Sequence, residues 1–147
     1  PMAAGLSMEE KNVELFRRRL NDNCTLTEQE LIPKIMIDVP MPISYLSKKL
    51  TEQLKVLEPF GKGNSKPLFA QKNLRAVGIR VFGRNRNVAK MLLIDENGIK
   101  MDAVYFGEAQ EFVDFVQAHD TISVTYYPEI NVFQGRENLQ VVIKNYC

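Results

Sequence analysis

The sequence predicts an α+β chain, with a helix-rich first part and a second part built almost entirely of strands. Three observations predict it. Apolar residues recur at helical spacing up to about residue 57 and alternate from about residue 74 onward. Between these regions Leu57 to Ala70 reads LEPFGKGNSKPLFA, whose prolines and glycines can neither continue a helix nor sit in a central strand. Charge also divides along the chain. Lys62 to Lys90 holds eight Lys/Arg and no acid, whereas Asp95 to Glu129 holds eight acids and one lysine. A chain of this polarity is expected to carry one positive and one negative face.

The first part spans residues 1–57. Its opening, PMAAGLSM, is small and apolar and reads as a piece cut from a longer protein. Ser7 and Glu10 have the spacing of a capping box. Val13, Phe16 and Leu20 then form an apolar stripe, and Arg17 to Arg19 favour the negative end of the helix dipole. Thr27 and Glu30 predict a second capped helix, which Pro33 stops. Lys34 to Val39 alternates as a half-buried strand does, and Pro40 and Pro42 end it. Leu46, Leu50, Leu54 and Leu57 make one helical stripe. Two helices and a strand are thin for an independent domain. This part is expected to complete a sheet whose other strands lie elsewhere, leaving apolar surface for that partner to cover. Residues 58–67 are expected to be a linker.

Residues 68–147 predict five strands with one helix between the third and fourth. The first runs from about Leu74 to Gly83, with Val77, Ile79 and Val81 on one face and Arg80 and Phe82 on the other; Gly78 permits a bend. Gly83 to Asn87, GRNRN, is a turn. The second strand is Val88 to Asp95, Asn97-Gly98 is a hairpin signal, and the third is Ile99 to Phe106. Ala109, Phe112 and Val116 mark a short amphipathic helix. Ile122, Val124 and Tyr126 mark the fourth strand, and Leu139, Val141 and Ile143 the fifth, with a loop around Phe133 to Arg136 between them. Three strands, a helix and two strands is the order of a five-stranded OB-fold β-barrel. Such barrels bind oligonucleotides on strands 2 and 3, flanked by the 1–2 and 4–5 loops. Single strands need cations for phosphates and flat rings for bases. Lys62, Lys66, Arg80, Phe82, Arg84, Arg86, Lys90, Tyr105, Phe133 and Arg136 are the candidates. Tyr105 also shares a face with Ile99 and Met101, so a core role is open to it.

Composition narrows the class further. At 147 residues, with 45% hydrophobic and 25% charged content, the chain is long enough for a real core. No apolar run approaches the roughly 20 residues of a membrane span, and no signal peptide is visible. Two cysteines make no disulfide framework, so a reducing cytoplasm is the expected compartment and no membrane partner is expected. Catalytic patterns are missing. His119 stands alone, neither cysteine has zinc spacing, and Gly61-Lys62-Gly63-Asn64 lacks the Gly-Lys-Ser/Thr ending of a phosphate loop. Clustered Asp and His ligands for a two-metal nuclease centre are not present. No catalytic and no metal-ligating residue is assigned.

Several stretches together resemble one family. MAAGLSM, NVELFRRRLN, KIMIDVPMPIS, LEPFGKGNSKPLF and INVFQGRENLQVVIKNY follow in the order found in the C-terminal part of the RecJ family. These are bacterial single-strand-specific 5′→3′ DNA exonucleases of the DHH phosphoesterase superfamily, which act in DNA repair and recombination. The resemblance implies that residues 1–57 are the end of a partial α/β DHH-associated domain, and residues 68–147 an OB domain. It implies that Ala3, Ala4 and Gly5 line the nucleic-acid path, after a Gly-Gly-His motif that stands just before them in the family. It also implies single-stranded DNA and an upstream DHH domain as partners. The Mn²⁺ or Mg²⁺ would belong to that upstream domain and not to these residues, so this piece is expected to bind without cutting. Ser65 departs from the proline frequent after Gly-x-Gly-Asn, which loosens the hinge. The second reading is a protein-interaction module that docks a single-strand-binding protein or a helicase through its acidic helix.

Overall fold

The computed structural model describes residues 5–147. The chain divides into two compact units, residues 1–35 and 36–147. The division falls after Ile35, not in the 58–67 stretch, because residues 38–57 are tied to the barrel.

The first unit holds α1 (Val13–Asp22) and α2 (Glu28–Leu31). The Ser7–Glu10 capping box does not form. A 3-10 turn at Glu10–Asn12 precedes α1, and neither Glu9 nor Asn12 makes a side-chain cap. The Thr27–Glu30 box does form. Thr27 Oγ1 accepts from the Glu30 backbone N–H, and Glu30 Oε2 accepts from the Thr27 N–H. The Glu30 carboxylate accepts from the Thr27 backbone N–H and, second in effect, from the Thr27 hydroxyl, and these two bonds lower the Glu30 pKa. Val13 and Leu20 of the α1 stripe are exposed, and α1 buries no residue.

In the second unit the expected Lys34–Val39 strand shrinks to β1 (Val39–Pro40), which runs parallel to the next strand. In this register residues 34–38 would face residues 64–68, the turn segment before β2, which offers no strand to pair with, and Pro40 and Pro42 stop extension in the other direction. Three ties fasten this segment. The Asp38 carboxylate accepts from the Leu68 N–H, Gln71 Oε1 accepts from the Ile43 N–H, and the Tyr126 hydroxyl donates to the Met41 carbonyl. Ile43 is fully buried. α3 (Lys48–Leu54) starts at the Ser47 hydroxyl, which accepts from the Leu50 N–H, and a 3-10 turn extends it to Leu57. Leu46, Leu50 and Leu54 face the core, while Leu57 is exposed.

The barrel strands are β2 (Phe69–Phe82), β3 (Val88–Ile94), β4 (Lys100–Phe106), β5 (Ile122–Phe133) and β6 (Arg136–Tyr146). The order is β1-β2-β3-β4-β6-β5, and β2 pairs again with β5. That second pairing closes β2-β3-β4-β6-β5 into a ring, with β4 and β6 parallel. The five-stranded OB barrel expected from the sequence is therefore present, with β1 added outside it.

β2 begins at Phe69, five residues earlier than expected, and carries two register shifts. One lies between Gln71 and Leu74 against β5, beside Asn73 at φ +57°; the other lies between Val77 and Arg80 against β3, beside Gly78 at φ +65°. Each inserts a residue and moves the inward set by one. Leu74 is buried, Ala76, Ile79 and Val81 pack on the core, and Val77 points outward. The predicted Val77–Ile79–Val81 face is thus broken at Gly78. Asp95 and Gly98 close the β3–β4 turn: the buried Asp95 carboxylate accepts from the Asn97 and Ile99 N–H groups, with Gly98 at φ +78°. α4 (Ala109–Ala118) plugs one opening with Ala109, Phe112 and Val116, all buried.

Tyr126 joins the barrel interior to the 38–57 segment. It is fully buried, and burial pushes its phenol pKa well above the usual value. Tyr126→Phe leaves the Met41 carbonyl without that donor, an expected loss of about 1 kcal/mol at neutral pH. A raised folded pKa contributes stability that is present below the ordinary phenol value of about 10 and is lost as pH rises above it. Urea denaturation from pH 8 to 11 should show stability falling above about pH 10, less steeply in Tyr126→Phe. Tyr127 and Tyr146, also pushed up by burial, keep part of the slope.

Candidate nucleic-acid interface

Alternation along closed strands sorts each residue to the core or to the outer face. On the outer face, register brings five strands into one row. Arg80 on β2 pairs with Lys90 on β3, Lys90 with Val104 on β4, Val104 with Val142 on β6, and Val142 with Tyr127 on β5. Because these five strands close into a ring, the row wraps around the barrel, its four interstrand spacings making roughly 19 Å along the curved surface. Val104 and Val142 are buried yet lie outside the core cluster, so they form an apolar floor between the cations and the Tyr127 ring. A parallel row joins Phe82, Val88 and Phe106, with both phenylalanines exposed. The next row on the other side joins Val77, Leu92, Asp102, Gln140 and Glu129.

The two loops expected to flank this face stand at opposite ends of the strands. The 83–87 turn opens at the Val88↔Phe106 end. There Gly83 has φ +90°, Arg86 has φ +51°, and the Arg86 N–H donates to the Gly83 carbonyl. At φ +90° this position favours glycine, and an added Cβ would in addition stand 2.6 Å from Asn87 Oδ1, which would have to swing aside. The β5–β6 loop is shorter than the sequence suggested. Phe133 pairs with Arg136 across a two-residue turn, Gln134 and Gly135, both at positive φ. Register carries this hairpin toward the Ile94↔Lys100 end. Seven-residue strands set the two loops roughly 20 Å apart.

Each predicted residue can now be placed. Arg80, Lys90 and Phe82 lie on the outer face, Arg84 and Arg86 at one end of it, Phe133 and Arg136 at the other. Lys66 stands over the Tyr127 ring, 4.5 Å from its centroid, and Lys62 is in the exposed 61–64 turn. Tyr105 points inward. Its ring stacks on Phe112 at 4.8 Å and meets Tyr146 edge-on at 5.5 Å, so it is not brought to the outer face. Gly5 is exposed in the first unit, and Ala3 and Ala4 lie outside the described residues. Sequence reasoning passed over Phe106, Tyr127 and Lys144, although each follows a core residue of an alternating strand and so belongs outside. Lys144 Nζ is 5.2 Å from the Tyr127 centroid. Burial first, then the Glu129 charge, raises the Tyr127 pKa.

Among the described residues, ion pairs join Lys11 to Glu9, Arg17 to Glu14 and Lys48 to Glu137, and none involves a cation of this face or its loops. No group of three His, Cys, Asp or Glu among the described residues could hold a metal ion. The residues present therefore do not fit a Mn²⁺ or Mg²⁺ centre, and no hydrolytic step is derived from them. What the face offers is cations and exposed rings, the chemistry that holds a single-stranded nucleic acid.

Known proteins agree with this fold. The family model described as RecJ OB domain matches residues 37–145. Over 147 aligned residues the chain is 29% identical to a single-stranded-DNA-specific exonuclease RecJ of Bacillus subtilis, covering 99% of this chain and 18% of that protein. It is 28% identical to the protein of the same name from Escherichia coli, covering 98% of this chain and 25% of that one. The chain thus spans a quarter or less of these relatives. A crystal structure of RecJ in complex with Mn²⁺ from Thermus thermophilus superposes with a TM-score of 0.68 at 18% identity, over 96% of this chain and 20% of that one. The Mg²⁺ complex from the same organism gives 0.65 at 18% identity, over 95% and 21%. With a closed OB barrel and a family match over residues 37–145, this chain belongs to the RecJ OB domain family.

Proposed function

We propose that this chain binds single-stranded DNA on the outer face of its barrel, as part of a single-strand-specific 5′→3′ exonuclease of DNA repair and recombination. The observation that carries the reading is the Arg80–Lys90–Val104–Val142–Tyr127 row, whose cations have no carboxylate partner. Phosphates can take those cations, and unpaired bases can stack on Tyr127, Phe82 and Phe106. Metal-assisted hydrolysis, which Mn²⁺ or Mg²⁺ would supply, is assigned to a DHH domain outside these 147 residues. The names of the relatives and the small share of their length covered here support that assignment. The role of this chain is affinity and strand selection. Residues before Met36 are assigned to the DHH-associated domain and residues 36–147 to the OB domain; the compact division at Ile35 supports this boundary over one at 57.

Fluorescence anisotropy with a labelled oligonucleotide tests the reading. Affinity should fall by about 0.7 log units per tenfold rise in salt for each phosphate contact. Arg84→Ala with Arg86→Ala should weaken binding and flatten that slope by up to about 1.4. No binding at low salt would remove the reading, and an unchanged slope would clear the 83–87 turn of phosphate contact. Charge reversal at Glu108, Glu111 and Asp114 should spare DNA binding; loss of pull-down of a single-strand-binding protein in that variant would favour the docking role instead.

The rings separate by position. Phe82→Ala and Phe106→Ala should each weaken DNA binding by about 1 kcal/mol or more while changing unfolding free energy little. Tyr105→Ala should do the opposite, lowering stability by about 2–3 kcal/mol through loss of its packing on Phe112. Paired anisotropy and urea denaturation measure both.

A further inference from the structure

A cavity of about 250 Å³ opens where α3 and the 55–67 segment face β5, beside the row described above. Tyr127 belongs to both: it ends the outer row and walls the cavity. Phe60 supplies a second ring. Lys66 Nζ stands between them, 4.5 Å from the Tyr127 centroid and 5.8 Å from that of Phe60. The charged lining is balanced, with Lys55 and Lys66 against Glu58 and Glu129. Gln140 Nε2 donates to Glu129 Oε2 at 3.0 Å and fixes that carboxylate on the wall.

This lining selects a ligand class. A balanced charge disfavours a phosphate, which would need uncompensated cations. Two rings favour a flat, neutral ligand. The volume lies below that of sites for drug-sized molecules and suits a single ring system. The carboxylates are acceptors only, so they favour a ring that carries an amino donor, as cytosine and adenine do. Lys144 Nζ also lies 5.2 Å from the Tyr127 centroid, close enough to meet a phosphate of a strand crossing the row.

We propose that this cavity is a single-nucleotide subsite that takes one unstacked, amino-bearing base from a DNA strand lying on the barrel's outer face. The proposal rests on the single-strand reading above and adds base preference to it. The base displaces the Lys66 ammonium from between Tyr127 and Phe60, Glu129 and Glu58 accept from its amino group, and the released Lys66, with Lys144, meets the neighbouring phosphates. The rest of the face is indifferent to sequence, so preference arises at this one position.

Anisotropy titrations with labelled oligo-dC and oligo-dT of equal length test it. The chain should bind oligo-dC about fivefold more tightly, the fold-change of one net hydrogen bond. Glu58→Gln with Glu129→Gln should bring the ratio close to one while leaving the salt dependence of both titrations intact. Tyr127→Leu should weaken both oligonucleotides about tenfold through lost stacking. Equal, salt-sensitive binding of both oligonucleotides by the unsubstituted chain overturns the base subsite and leaves the outer-face reading standing; the cavity would then suit an apolar side chain of a protein partner. A ratio unchanged in the double glutamine variant also overturns it. No binding of either oligonucleotide at low salt removes the outer-face reading itself, and the subsite with it.

Discussion

Everything in the second unit depends on β2 pairing with two different strands. Its first half lies against β5 and its second half against β3. A straight strand cannot follow both neighbours around a ring; it must coil, and the two inserted residues supply the coil. Each insertion sits beside a residue at positive φ, Asn73 and Gly78. Asparagine and glycine adopt this conformation at low cost, the first because its short polar side chain bonds locally and the second because it lacks a Cβ. Asn73 Nδ2 also donates to the Glu96 carboxylate, 23 residues on, at 2.7 Å. Closure then removes the open edges of a flat sheet, and the core of Leu74, Leu93, Phe112, Val141 and Ile143 fills the interior.

Closure also makes the candidate interface. Arg80 and Tyr127 are 47 positions apart in sequence, yet they end one row because each strand between them keeps its register. The Gly78 insertion puts Arg80 outside and Ile79 inside. Without it, one of the two halves of β2 would present its apolar set to solvent. Charge completes the arrangement. The acid-free run from Lys62 to Lys90 supplies β2, the 83–87 turn and the start of β3, so cations reach the face with few carboxylates nearby to neutralise them. Most of the acids after Asp95 fall on turns and on the exposed side of α4.

Much of this was legible in the sequence because it is local. Strand order, the position of α4, the Asn97-Gly98 turn and the Thr27–Glu30 box all follow from spacing and turn chemistry over a few residues. Most failures come from tertiary pairing; the capping box at Ser7 is a local exception. Ser7 and Glu10 have the right spacing, but the chain enters α1 through a 3-10 turn and the box has no helix start to cap. Lys34 to Val39 alternates as a strand, but prolines and the absence of a longer partner leave two residues paired. Val77 fits its predicted face until the insertion at Gly78 moves it. Tyr105 was assigned both ways, and its packing on α4 was not readable from β4 alone. Tyr127 was legible as outward, but its place beside Lys66 depends on a loop more than fifty residues away.

That loop is the Leu57–Ala70 stretch, and its polar residues explain why a proline- and glycine-rich segment can hold a fixed wall. Asn64 Nδ2 donates to the carbonyls of both Leu57 and Pro59, while Gly61 and Asn64 exchange backbone hydrogen bonds across the turn. The turn is closed on itself by these bonds. Farther along, the Asp38 carboxylate holds the Leu68 N–H where β2 begins. Lys66 stands between these two anchors, and its ammonium rests between two aromatic rings instead of extending into solvent. A flexible linker would leave such a side chain to sample many rotamers, at an entropic cost on every binding event. A turn pinned at both ends bears part of that cost during folding. The segment that looked like a joint between two domains is built into the barrel's outer wall beside Tyr127.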